Sequence, residues 1–490
     1  MLASQRPVGR THLVALAILV MQEFLQNGMV SFSSSYISGG LGAAPEEFSL
    51  AAACYAAIAV TMIFQHRWFV EHLGYRRFLQ LAVLFFGLGA LLCATANDIH
   101  EFILGRAVQA VGGSAFFTAA RIQVQHYRGK ERGAALMAFG TGLLLGTGIA
   151  AATASYLIES ASWRAVFVVM IPVALISAVL VGRSVPDHQP ASHGEPAQQH
   201  AGGFVALVVG IFALQFGLER TQYDFFSNAT ALIPLGMAAV MGITAFVVHD
   251  ARRANPLIFR EALAQGRYLT GLAAYFGSYL IGSIGAFTLP IFLVRGIGFP
   301  VQSTGAILSA ASLSGLVVMV LLANVLPRSP GLKKYFLFAL VPLFIYGWWM
   351  SRMSDSVTMR QLVFPMILHN GVFLTVVQMT AAFGTFRDID ESVFSNAYQV
   401  KNALREVASS SGISIATVLM QSRTTLHYER LVETADPLHQ LAGASPSTLA
   451  TFASEVTRQA TLMACQDYFV GLCVVALLAA LAVVLQRKLV

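Results

Sequence analysis

The chain has 490 residues, of which 56% are hydrophobic and only 11% charged, with a formal net charge of +7. A soluble domain carries roughly 25% charged residues, so this composition, with a mean hydropathy of +0.67, excludes a water-soluble globular protein. Nucleic-acid binding is excluded as the reason for the positive charge, because the basic residues sit in short segments between long apolar runs.

In chain order, the apolar runs recur near the ~20 residues that cross ~30 Å of hydrocarbon. The first six candidate spans cover residues 13–33, 50–65, 78–96, 102–120, 134–158 and 166–181. The first of these is read as an uncleaved helix, since no small-residue cleavage pattern ends it. Residues 186–201, rich in Pro, His, Gln and Ala, read as a polar linker. Two further spans follow at 203–217 and 229–248, and six more at 268–294, 305–325, 335–349, 362–382, 397–420 and 461–485. A hydrophilic loop over 421–458 separates the last two. The expected fold is an all-α membrane protein with 14 transmembrane helices. It divides into a six-helix bundle over 1–185, a linker over 186–201, two additional helices over 202–250, and a second six-helix bundle over 251–490.

Charge tests the alternation. With both termini cytoplasmic, the inner segments hold 20 of the 31 Lys and Arg residues and the outer segments eight; the other three, Arg106, Lys401 and Arg405, fall within spans. That bias follows the rule that basic residues stay on the cytoplasmic side. A six, two, six pattern also suits related halves with a binding site between them, a common transporter design.

Ionisable groups at membrane depth are costly and are functional candidates by default. Glu23 lies mid-way along the first span beside Gln22, Gln26 and Asn27. Desolvation disfavours the charged form of such an acid, which makes it a candidate proton carrier; a structural carboxylate locked to a neighbouring helix is the plainer alternative. Arg106, in the fourth span, cannot shed its proton and needs a cavity, water or a carboxylate. Glu23 is the expected partner if the two helices meet, the alternative being that Arg106 pins helix ends through carbonyl groups. In the thirteenth span, Asn402 and Arg405 precede Ser409–Gly412, and Lys401 and Arg405 lie close enough to the span's end to snorkel. Asp467 opens the last span, as a second proton site or an interfacial charge. His369 and Asn370, in the twelfth span, are candidates to line a cargo path or simply to pack. Gly142, Gly146 and Gly148, together with Gly140, give the fifth span a surface for close helix contact. The four cysteines lack metal-type spacing and read as small core residues.

These residues are similar, in order, to the motifs of the major facilitator superfamily, in its fourteen-helix drug:proton antiporter branch. Residues 67–77, Arg-Trp-Phe-Val-Glu-His-Leu-Gly-Tyr-Arg-Arg, resemble the family's loop between the second and third helices. The resemblance implies that Glu71, Gly74, Arg76 and Arg77 form a conformational latch. Arg106 and Gln109 match the fourth-helix motif associated with proton coupling. Trp163, Arg164, Phe167 and Pro172 match the start of the sixth helix, Asp224–Ser227 the loop between the two extra helices, and Asn402, Arg405, Gly412 and Ser414 the thirteenth helix. Two departures from the pattern matter most. In the fifth helix Thr147 follows Gly146 where proline is usual and Ala150–Ala151 replace paired glycines, and in the first helix Glu23 stands in place of an aspartate; Arg67, His72 and Ala110 also differ from the usual residues.

The resemblance implies a secondary transporter of a bacterial inner membrane, without cofactor, exporting small amphipathic molecules by proton antiport and alternating access. Glu23, Arg106 and Asp467 would couple protons, while Gln26, Asn27, Gln109, His369, Asn370, Asn402 and Arg405 would line the cargo cavity. Pumps of this type often work with a periplasmic adaptor and an outer-membrane channel. The competing readings are an importer or facilitator of a specific metabolite or siderophore, and a membrane sensor or assembly subunit that has lost flux. An integral-membrane enzyme is disfavoured, because neither paired carboxylates nor His clusters recur at reactive spacing.

Overall fold

Helix boundaries follow local chemistry. In a computed structural model of the chain, the residues described are 9–125, 127–186, 201–252, 256, 265–329, 331–390, 393–435 and 445–486. The long helices are α1 (Arg10–Phe32), α2 (Pro45–Leu73), α3 (Tyr75–Thr95), α4 (Ile99–Val124), α5 (Gly129–Ser160) and α6 (Met170–Ser184). They continue with α7 (Ala201–Ser227), α8 (Leu232–Asp250), α9 (Gly266–Pro290), α10 (Val301–Val325) and α11 (Leu332–Met350). Next, α12 runs as Met359–Met366, a wide π-turn segment Ile367–Phe373, and Leu374–Gly384; α13 (Phe394–Ala435) and α14 (Pro446–Leu485) complete the set.

Helix α2 starts on Pro45, whose missing N–H costs nothing in the first turn, and Glu47 reaches back to the Ala44 N–H at 2.9 Å. Asp98 caps α4 by accepting from the Glu101 N–H at 2.8 Å. Gly74 alone separates α2 from α3, and its φ of +77° lies where residues with a Cβ are strained. A second wide-turn segment, Ile291–Ile297, follows Pro290 at the end of α9, since proline removes a ladder N–H there.

Two apolar cores organise these helices. One is built almost wholly from α1–α6 and includes Phe86, Phe116, Phe167 and Met170; the other centres on α9–α14 and includes Phe292, Tyr346, Phe373 and Phe469. The two bundles meet along α5 against α10 and α2 against α13. The additional pair sits beside this second seam: α7 packs on α2 and α13, and α8 packs on α7. Leu84, Leu175, Val240, Leu321 and Leu477 remain more than half exposed on the outside, as a lipid-facing surface requires.

Twelve of the described helices are long and apolar enough to cross a membrane. The expectation of fourteen adds α11, which has only 19 residues, and α13, which is more polar. Helix α11 opens with Lys333 and Lys334, and α13 carries Lys401, Arg405 and Glu406. The hydrophilic stretch expected as a loop over 421–458 is largely helical: α13 continues to Ala435 and α14 already begins at Pro446. With 42 and 40 residues, each of these helices spans roughly 60 Å at about 1.5 Å per residue, twice the hydrocarbon thickness. The linker expected at 186–201 lies outside the described residues except at its two ends.

A cavity of about 830 Å³ separates the bundles. Its mouth lies at the α4–α5, α10–α11 and α12–α13 connections, marked by Gly129, Pro327 and Ile389. At the opposite end the bundles touch. The Ala152 N–H donates to Ser309 Oγ at 2.9 Å, and the Gln302 N–H to Glu159 Oε1 at 3.2 Å. A methyl group on Gly305 would stand 2.6 Å from the Ala151 carbonyl oxygen. The molecule is thus open at one face and shut at the other.

Candidate functional site

Three helices meet at one carboxylate. Glu23, half-way along α1, is 2% exposed. Its Oε1 accepts from Arg405 Nη2 on α13 at 2.7 Å, and its Oε2 accepts from the Phe117 N–H of α4 at 2.9 Å. Arg405, itself buried, also donates to Glu406 Oε1 at 2.5 Å. The guanidinium lies 4.5 Å from the Phe117 ring centroid and 5.1 Å from that of Phe24. A desolvated charge is tolerable only when paired and hydrogen-bonded, and this guanidinium has two carboxylates to itself. The ion pair is also a link between the two bundles.

One helical turn earlier on α13, Lys401 is 2% exposed. Its Nζ lies 4.4, 4.6, 5.0 and 5.5 Å from the ring centroids of Tyr275, Phe117, Tyr398 and Tyr279. Its polar contact is Asn402 Oδ1 at 3.3 Å. Cation–π attraction of this kind gains strength where water is excluded. Asn402 Nδ2 in turn donates to Thr118 Oγ1 on α4 at 2.6 Å, a second tie across the bundles. Arg121, a further turn along α4, is buried over Phe394 and Tyr398 at 5.0 and 5.6 Å. Phe117, Arg121, Tyr275, Tyr279, Tyr398 and Lys401 line the cavity, whereas Glu23 and Arg405 lie just behind Phe117.

The expected pairing of Glu23 with Arg106 is therefore corrected. Arg106 donates to Gln109 Oε1 at 2.6 Å within α4 and stacks 4.0 Å from the Tyr55 ring centroid on α2. Arg405 takes the place assigned to it because α13, not α4, presents a cation to α1 at this depth. Nor do Lys401 and Arg405 snorkel; both are buried. Gln26 is buried with neither side-chain oxygen nor nitrogen bonded, and Asn27, one turn after Glu23, lies beside Tyr55.

Other expected residues stand apart. His369 Nδ1 bonds Asn370 Oδ1 at 2.6 Å, the ring stacks on Tyr346 at 4.6 Å, and Asn370 reaches Ser312 Oγ at 3.4 Å; neither residue lines the cavity. Asp467 is 37% exposed and holds His427 at 2.9 Å and Arg423 at 3.7 Å, on the outer stretch of α13. At the implied latch, Glu71 pairs with Arg67 of its own helix at 2.7 Å, Arg76 Nε donates to the Val185 carbonyl at 2.8 Å, and Arg77 is exposed. The α5 glycines are packing sites: Gly142 and Gly146 face α1 backbone, and Gly148 faces Leu313 of α10. Glu406, Arg121 and the ring cluster went unread as site residues in the sequence. Glu406 had a signal, standing beside Arg405 within a segment read as a span. The rings had none, because their convergence is tertiary.

Comparison with known proteins accords with this architecture. The family model described as Major Facilitator Superfamily matches residues 16–416. The Escherichia coli (strain IAI39) protein named MdtD, a multidrug resistance protein by its name, is 25% identical over 426 residues, covering 84% of this chain and 86% of its own. Among solved structures, the human organic anion transporter MFSD10 superposes with a TM-score of 0.59 at 12% identity, covering 97% of this chain and all of its own. A bacterial homologue of the human lysosomal transporter Spinster, inward-facing and unoccupied, gives 0.57 at 14% identity over 99% and 98%. At such identities the likeness concerns shape and carries nothing about cargo. The chain belongs to the Major Facilitator Superfamily and is a multi-span membrane transporter rather than an enzyme.

Proposed function

We propose that the protein exports small amphipathic organic molecules by proton antiport through alternating access, with Glu23 as the proton carrier. The observation that carries this reading is the buried Glu23–Arg405 pair at 2.7 Å, which joins α1 to α13 across the two bundles. Protonation of Glu23 removes the negative half of the ion pair and leaves at most a hydrogen bond from the guanidinium to a neutral carboxyl group, a weaker contact. Arg405 keeps Glu406 as its counter-charge, so the cross-bundle tie loosens without stranding a bare cation. Proton occupancy and bundle geometry are then linked at a single atom pair. Basic residues concentrate on the face where the cavity opens, and by the positive-inside rule that face is cytoplasmic. A cytoplasm-facing cavity with Glu23 ionised is the state that would take up cargo after releasing a proton inward. The name of the MdtD relative agrees with small organic cargo. The site lies within the membrane of a bacterial cell on this reading, with both termini inside.

Proteoliposomes with a pH dye in the lumen test it. An antiporter alkalinises the lumen as an amphipathic dye enters; a symporting importer acidifies it. Glu23→Gln should abolish proton movement and concentrative uptake while the protein still inserts. Wild-type uptake and proton flux in Glu23→Gln would remove Glu23 from the mechanism.

A further inference from the structure

The charge inside the cavity is one-sided. Four basic side chains line it, Arg121, Arg132, Arg387 and Lys401, and among the described residues no Asp or Glu does. Arg132 and Arg387 stand exposed at the mouth, where orientation alone accounts for basic residues, so they carry no argument by themselves. Arg121 and Lys401 are different. They are 6% and 2% exposed and lie past the mouth, among rings of both bundles. Arg121 Nη1 is buried without a hydrogen-bond partner, and a guanidinium stays charged at any physiological pH. The nearby acids do not answer these charges, since Glu23 and Glu406 are both bonded to Arg405. A buried cation held only by ring faces and lacking a carboxylate is a site short of one negative charge.

We infer that the cavity selects amphipathic organic anions, binding the anionic head, a carboxylate or sulfonate, between Arg121 and Lys401. The proposal rests on the reading of this cavity as the cargo path. A guanidinium offers two parallel donors to such a head, and the unpartnered Nη1 is one of them. The remaining wall is mostly apolar, with Phe139, Leu143, Met379 and Phe383 beside Gln125, Thr375 and Gln378, and suits a hydrophobic body. A volume of about 830 Å³ falls within the ~300–1,000 Å³ typical of sites for drug-sized molecules. An organic cation would meet like charges on entry and, among the described residues, no carboxylate in the lining. The mouth pair, Arg132 and Arg387, adds steering toward anions.

Two probes of matched shape decide the matter, 6-(2-naphthyl)hexanoate and 6-(2-naphthyl)hexylammonium. Their affinities are measured by equilibrium binding to the purified full-length protein in neutral detergent, which needs no transport. The hexanoate should bind at least tenfold tighter than the ammonium. Arg121→Gln should reduce that preference about tenfold or more, and Lys401→Met should reduce it as well. Arg121→Lys, which keeps the charge, should restore most of it and guards against a simple folding defect. Equal binding, preference for the ammonium, binding of neither probe, or an unchanged preference in a monodisperse Arg121→Gln protein would each overturn the proposal. The export reading fails separately. Glu23→Gln should keep the anion preference, so anion selectivity without proton flux would leave this inference standing and sink only antiport.

Discussion

At the scale of single residues, the informative contrast is between two buried arginines, Arg106 on α4 and Arg405 on α13. Arg106 lies over Tyr55 with Gln109 as its acceptor, whereas Arg405 holds two carboxylates. Removing one partner of a buried pair costs about 3–5 kcal/mol, because the other charge is stranded. Arg405→Gln should therefore destabilise strongly, leaving Glu23 and Glu406 close together without a cation. Adding Glu23→Gln to that variant should recover a large part of the loss. Thermal unfolding of the single and double variants in detergent measures this, and additive losses would show that the two side chains do not interact. The sequence exposed each of these charges, since an ionisable residue in an apolar run is visible by inspection. It did not expose the pairing. Glu23 and Arg405 are 382 positions apart, and nothing local in α1 encodes which helix will bring the cation.

At the scale of elements, helix α5 shows how glycine spacing becomes geometry. A methyl group on Gly142 would stand 2.9 Å from the Cα and carbonyl carbon of Ala17 on α1, which is backbone and cannot step aside. The same group on Gly148 would meet the Leu313 side chain, with Leu313 Cδ2 at 2.6 Å, which can rotate away. Overpacking a close contact costs roughly 1–3 kcal/mol. Gly142→Ala should thus lower the unfolding midpoint clearly more than Gly148→Ala, and the reverse order would contradict the packing. Outside the membrane, the α11–α12 connection is tied to α14. Asp355 Oδ2 accepts from Arg458 Nη2 at 3.1 Å and from Gln459 Nε2 at 3.2 Å. These hydrogen bonds hold the Asp355 carboxyl below its ordinary value of 3.8. A group depressed in the folded state stabilises above its unfolded value and loses that contribution as pH falls through the folded one. The difference in unfolding midpoint between wild type and Asp355→Asn should accordingly be constant near neutrality and shrink only below about 3.8. A difference that vanished near pH 6 would mean another group is responsible. The glycine stripe was readable from spacing. The α13–α14 extension was not, because polar composition marks a segment as outside the lipid without distinguishing a loop from a continuing helix.

At the scale of the whole molecule, bundle architecture was legible because every apolar run repeats the same signal, and the runs add up independently of their contacts. The state of the transporter was not, since it depends on how two finished bundles lean together. That lean rests on a few contacts at the shut end, where Gly305 admits α10 against Ala151 and Ser155, and Ser309 receives the Ala152 N–H. If the bundles rock between two states, a bulky side chain at position 305 disfavours only the state in which this end is shut. A steric penalty of even ~1.4 kcal/mol moves the ratio of states tenfold. Gly305→Leu should then populate the opposite state and narrow the mouth. The readout is labelling of Met137→Cys, in the cavity wall, by a membrane-impermeant maleimide applied from the mouth side, with the four native cysteines replaced. Labelling should fall several-fold in Gly305→Leu while the helical content stays unchanged. Undiminished labelling would mean that the seam at Gly305 does not control access to the cavity, and the rocking of one bundle against the other would need a different fulcrum.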